Sequence, residues 1–247
     1  MRAAFARTAF VFALLLATAA SAESLKLPDN LVDLRSPQGE AYLLETHALQ
    51  SYFPISVAFE TQRTQSYCGV ASMVMVLNAI GAPAPTSPEY QPYTIFTQDN
   101  VLNEKTDAIR SRDAILHRGM TLDQLGGILS LYPVAVEVHH AETGGVDEFR
   151  KLASEALAAK NRFVIVNYQR KTLGEVIGGH ISPLGAYDEK ADRFLIFDVA
   201  RYRYPPVWVK ATDLFDAMNT PDSDNDNKMR GYVLVSSQGS AGAAPAQ

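Results

Sequence analysis

Apolar residues recur with two different periods along this chain, and the change from one to the other divides it. Between residues 68 and 80, Val70, Met73, Val74 and Leu77 fall at helical spacing, and Gly81 follows as a stop. Two shorter helical patterns cover 107–117 and 121–131; in the second, Thr121 and Gln124 have the spacing of a capping box. A longer helix is predicted over 146–160, where Val146, Phe149, Leu152, Ala153, Ala156 and Leu157 share one face. Beyond it the pattern becomes that of strands. Segments 163–168, 180–187, 194–199 and 232–235 are short, β-rich and separated by Gly, Asp or charged turns. A short helix over 213–218, capped by Thr212, interrupts them. Helices first and strands later is the order of an α+β fold, in which a helical half packs against an antiparallel sheet half with a cleft between. Residues 59–236 form that domain. The preceding segment, 23–58, carries scattered prolines and little periodicity and is expected to wrap the domain as an irregular arm. The tail, 237–247, is small, polar and expected to be disordered.

The first residues read differently. Arg2 and Arg7, an apolar run over 9–17 and Ala20-Ser21-Ala22 have the layout of a cleavable export signal, so 1–22 is expected to be removed and the mature chain to be periplasmic. The apolar run is too short for a span of about 20 residues, which argues against stable membrane association. Loss of Arg2 and Arg7 takes the 22 basic residues to 20 against 27 acidic ones, a formal charge of −7, and disfavours a nucleic-acid partner. The chain has one cysteine, Cys68. In an oxidising compartment an unpaired cysteine is either inert and buried or kept for its chemistry.

Cys68 stands at the start of a predicted helix, where unpaired N–H groups and the helix dipole favour thiolate over thiol. Gln62 lies six residues earlier, at the spacing by which a glutamine amide and the cysteine N–H of a papain-like site donate to an oxyanion; Gln65 is a rival donor. Of five histidines, His180 opens a strand behind two glycines that leave its imidazole room to face a cleft. Asp198 ends the next apolar strand, which as an antiparallel partner would place its carboxylate beside His180 to fix the imidazole tautomer.

Three stretches, "YCGVASMVMVLNAI", "GGHISPLGAY" and "DVARYRYPPVWV", resemble the signature blocks of phytochelatin synthases, and "YTIFTQDNVLNEKT" is similar to short bacterial members. The resemblance implies a papain-like fold and a γ-glutamylcysteine dipeptidyl transfer from glutathione, with Cys68 as nucleophile, His180 as base and then acid, Asp198 as orienter and Gln62 as oxyanion donor. Asn167, Arg170 and Arg230 resemble positions that hold the γ-glutamyl group. Arg201 is a further cation for the anionic substrate or a brace for the "YRYPP" turn. Glutathione is the expected partner, and a homodimer a candidate assembly. No cofactor or resident metal site is expected; a thiophilic metal ion would act as a metal–glutathione thiolate complex. Plant members carry a Cys-rich extension that this chain does not show, so hydrolysis of glutathione is expected over metal-stimulated chain building. The competing readings are a papain-like peptidase of other specificity and a catalytically inactive periplasmic binding protein.

Overall fold

A computed structural model describes residues 25–238. The export signal and residues 239–247 of the tail lie outside the described residues. In chain order the elements are β1 (Val32–Asp33), α1 (Pro37–Glu45), α2 (Tyr52–Val57), α3 (Cys68–Ala79), α4 (Glu104–Asp107), α5 (Arg112–Arg118), α6 (Leu122–Leu129), β2 (Val134–His140), α7 (Val146–Ala158), β3 (Arg162–Gln169), β4 (Gly179–Asp188), β5 (Arg193–Ile196), β6 (Val207–Lys210), α8 (Ala211–Met218) and β7 (Gly231–Ser237). The fold is α+β of the papain-like kind, with one antiparallel sheet in the order β1-β6-β5-β4-β3-β7-β2.

The apolar runs of the central strands reflect burial on both faces. Along β3, Phe163 and Ile165 join the cluster under α3 and α6, while Val164 and Val166 point to the opposite cluster under α7 and α8. Residues 68–77 of α3 are all buried, so this helix is enclosed on every side between sheet and outer helices.

Several elements differ from expectation. The arm is not irregular: it contributes β1, α1 and α2, all too short to show a period. Ser36 accepts the Gly39 N–H to start α1, Trp208 Nε1 donates to Gly39 O at 3.0 Å, and Leu34 N–H bonds Pro206 O at 3.0 Å. The pattern over 107–117 splits into α4 and α5, because Asn103 and Ser111 each cap a separate start. The capping box at Thr121 is present. Lys210, not Thr212, occupies the N-cap of α8. Ser237, placed in the tail by its composition, pairs with Val134 at the end of β7.

The β4–β5 pair carries the site, and it is irregular where that matters. The register shifts between Leu184 and Ala186, and β5 ends at Ile196, two residues before Asp198. A Cβ on Gly185 would lie 2.3 Å from the Phe197 ring. Gly185→Ala should therefore push Phe197 away and destabilise the fold by about 1–3 kcal/mol, with Asp198 displaced next to it. Urea denaturation beside an activity assay checks this; a variant as stable and active as wild type would show that the ring does not fix the turn.

Candidate active site

Cys68 opens α3 without a capping side chain, since Tyr67 at the N-cap makes no such bond. The amides of the first turn are thus left for the sulfur. Gly69 and Ile181 supply backbone hydrogen bonds to Cys68, and His180 supplies a side-chain one. Burial alone would push the thiol up, because a thiolate gives up its water. The His180 bond and charge, with the two backbone bonds, outweigh burial and hold it below the usual thiol range.

His180 stands opposite Tyr168 in the β3–β4 register, and the Tyr168 ring meets the imidazole edge-on at 5.7 Å. Its Nε2 lies 2.8 Å from Asp198 Oδ1 and 3.0 Å from Ser182 Oγ, which leaves Nδ1 for the thiol. Asp198 is wholly buried. It accepts from Arg170 Nη2 at 2.9 and 2.7 Å on its two oxygens and from the Ala200 N–H at 2.7 Å. Burial works against that carboxylate, but the charges and hydrogen bonds of His180 and Arg170 bring it down to about 2. For His180, burial and the Arg170 charge favour the neutral ring, yet Asp198 and Cys68 raise it above the usual imidazole range. Both shifts favour the thiolate–imidazolium pair over the neutral thiol and imidazole.

A cleft of about 450 Å³ opens onto Cys68 and His180. Asn167 and Arg230 line it, from the sheet side. A wider groove, of about 830 Å³ between α7 and the β4–β5 turn, holds none of these groups.

Three of the residues expected to meet the substrate do not line the cleft. Arg170 is buried behind Asp198, with Nη1 on Glu175 Oε2 at 2.6 Å and the Tyr204 ring 5.2 Å from its guanidinium carbon. Its guanidinium is taken up by Asp198 and Glu175, so it has no free face for substrate. Arg201 lies over the Phe59 ring at 4.5 Å, in a hollow with Arg35 and Pro206. The Gln62 amide donates to Thr64 O at 2.8 Å and to the Tyr202 hydroxyl at 2.9 Å, while its Oε1 is buried without a partner. To serve an oxyanion the amide must give up one of those bonds. Gln65 lines the cleft itself, with its Oε1 held by Arg203 at 2.7 Å.

Other lining residues have no mark in the sequence. Arg110 and Arg118 flank α5, and Asp222 and Asp224 sit in the loop before β7. Arg118 and Asp224 join the two walls at 2.6 Å, and Arg230 pairs with Asp222 at 3.4 Å. An arginine beside a short helix and an acidic loop both look solvent-facing until the fold turns them to one cavity. Among the described residues no group of three or more His, Cys, Asp or Glu is placed to hold a metal ion, and no helix is long and apolar enough to cross a membrane.

The family model described as phytochelatin synthase matches residues 22–232. The chain belongs to the phytochelatin synthase family. Among curated relatives, a glutathione gamma-glutamylcysteinyltransferase 1 of Lotus japonicus is 34% identical over 208 residues, covering 83% of this chain and 40% of its own length. The transferase 1 of Arabidopsis thaliana is 28% identical, with 83% and 41% covered, and that of Schizosaccharomyces pombe 27%, with 78% and 45%. This phytochelatin synthase domain thus spans less than half the length of those relatives, and the matched segment contains Cys68, His180 and Asp198 together.

The thiolate can be read directly from the pH dependence of alkylation. In wild type, carboxamidomethylation of Cys68 should persist below the usual thiol range, because His180 holds the thiol down. In His180→Ala burial is opposed only by the backbone bonds of Gly69 and Ile181, and the midpoint should move to higher pH. An identical midpoint in both proteins would show that His180 does not set the thiolate.

Proposed function

We propose that this protein is a glutathione γ-glutamylcysteinyltransferase acting mainly as a hydrolase, which removes glycine from glutathione through an acyl-enzyme on Cys68. The observation that carries this reading is the unbroken line from Cys68 through His180 and Asp198 to Arg170, open to a cleft at the sulfur end only.

The Cys68 thiolate attacks the cysteinyl carbonyl carbon of glutathione, and the carbonyl pair moves onto oxygen. The backbone N–H of Cys68 and a glutamine amide, from Gln62 after release of one bond or from Gln65, stabilise the oxyanion. The imidazolium of His180 gives its proton to the glycine nitrogen as the C–N bond breaks, so glycine leaves as an amine and a thioester remains. Neutral His180 then takes a proton from the incoming water, or from the amine of a second glutathione, and the thioester is cleaved. The cleft volume of about 450 Å³ is in the range that holds one small ligand, which favours water as the usual acceptor.

The sheet side of the cleft suits the γ-glutamyl head, which carries a carboxylate and an ammonium on one carbon. Arg230 is nearly buried, its Nε has no partner, and Asp222 stands beside it with the opposite charge. Asn167 adds a neutral amide. A thiophilic metal enters this scheme only as a metal–glutathione thiolate complex that serves as acceptor. Mass spectrometry of protein mixed with glutathione should show a γ-glutamylcysteinyl adduct on Cys68 and free glycine, and Cys68→Ser should yield neither; S-methylglutathione should then accept the acyl group without added metal. Glycine release by Cys68→Ser at the wild-type rate would exclude the acyl-enzyme. Binding of glutathione with no turnover would favour an inactive binding protein.

The same proposal places the enzyme in the periplasm, on the strength of the Ala20-Ser21-Ala22 motif. Native protein from a periplasmic extract should begin at Glu23. An N-terminus at Met1 in the membrane fraction would point to an uncleaved anchor.

A further inference from the structure

Resting on the reaction proposed above, we infer that Arg110 is the residue that selects the leaving group: it binds the lone C-terminal carboxylate of the residue cleaved from the donor. Glutathione has a carboxylate at each end with the scissile bond between them. One belongs to the zwitterionic γ-glutamyl head; the other, on glycine, has no ammonium near it. A site that matches both ends needs a cation with an acid at one end and a cation without one at the other.

The cleft has that asymmetry. Arg230 approaches Gly179, the residue before His180, with Nε and Nη2 each 3.5 Å from where a Cβ would stand. That cation, with Asp222, lies on the histidine side of the sulfur. Arg110 lies on the helical side: its Nε donates to Gly119 O at 3.3 Å, and the next residue, Met120, packs its sulfur 2.6 Å from where a Cβ of Gly69 would be, adjacent to Cys68. The two arginines thus come from different walls of the cleft that Cys68 also lines. Gly69 leaves room for Met120 so close to the thiol, which shapes the helical wall between Arg110 and the reacting carbon.

Arg110 is also the cleft arginine that remains available. Arg118 is paired with Asp224 and Arg230 with Asp222, whereas Arg110 has no carboxylate partner among the described residues. Among the described residues its side chain makes long bonds to carbonyl oxygens, 3.3 Å to Gly119 and 3.5 Å to Ala114. Such contacts orient a guanidinium without neutralising it. One residue beyond the scissile carbonyl reaches at most about 3.6 Å further along the chain, so a glycine carboxylate stays near the sulfur and meets the wall beside it. A planar guanidinium takes a carboxylate through two parallel N–H bonds. No equivalent cation for that end is supplied by Arg170 or Arg201, which the fold directs elsewhere.

The test compares glutathione with its C-terminal carboxamide, γ-Glu-Cys-Gly-NH2, in wild type, Arg110→Gln and Arg110→Lys, following release of glycine or glycinamide. Wild type should prefer the acid by about ten- to hundredfold in kcat/KM, mostly through KM. Arg110→Gln should lose that preference by slowing on the acid while keeping its rate on the amide, and Arg110→Lys should retain part of it. The same acid-to-amide ratio in wild type and Arg110→Gln would overturn the assignment. Should Arg110→Gln be inactive on both, the wild-type ratio decides, and a value near one overturns it. A loss confined to transfer, with hydrolysis of glutathione unchanged, would put the contact on the acceptor instead and likewise overturn it. Turnover of neither substrate by wild type would refute the reaction itself, and this assignment with it; turnover of both without preference leaves the reaction standing and removes Arg110 alone.

Discussion

A negative charge behind an imidazole helps it keep a proton beside a buried thiolate. Here that charge is Asp198, which has no contact with water. A carboxylate in that position would protonate rather than ionise, at a cost of several kcal/mol, without a cation to hold it. Arg170 is that cation, and it forms bonds to both carboxylate oxygens. The arginine in turn needs a second acid for its remaining donors, which explains Glu175 at 2.6 Å in a pocket that burial and the nearby Asp198 charge make unfavourable for it. Removing one member of such a buried set costs about 3–5 kcal/mol, because the charge left behind stays buried. The reactive end is therefore only the cleft-side tip of a longer ionic line.

That line explains why the chain from Asp198 to Trp208 has the sequence it has. Ala200 donates its N–H back to Asp198, and Tyr204 covers the Arg170 guanidinium while its hydroxyl accepts the Val176 N–H at 3.1 Å. The two prolines that follow carry the chain into β6, where Leu34 and Asp33 dock, and Trp208 reaches under α1 to bond Gly39. One short segment thus braces the catalytic acid at one end and pins the N-terminal arm at the other. Neither task is chemical, yet the geometry of the site depends on both.

The cleft walls come from parts of the chain that are far apart, and their charges are arranged across it rather than along it. The sheet wall offers Arg230 with Asp222, and the helical wall offers Arg110 and Arg118. Arg118 reaches over to Asp224, so the two walls touch at the mouth. A chain with more acids than bases nevertheless lines this cleft with three arginines against two aspartates, while Asp99 and Asp192 are taken up in ion pairs elsewhere.

Local sequence determined the elements whose signals are local. The buried helix behind Cys68, the capping box at Thr121, the amphipathic face of α7 and the paired strands β4, which carries His180, and β5, which leads to Asp198, all follow from period, caps and turn residues that act within a few positions. The order Cys68, His180, Asp198 could be read for the same reason: each sits at or just beyond the end of an element. What tertiary structure decided were the pairings between distant residues. α1 exists because Trp208 and Pro206 hold its segment, and α2 because it packs on β4 and α3, not because either has a period of its own. Arg170 and Arg230 look alike in sequence, both basic residues at strand ends. One is drawn behind Asp198 by a buried carboxylate and the other is left beside the cleft with an unpartnered Nε, and only the folded chain, by setting which acid each arginine meets, could tell them apart.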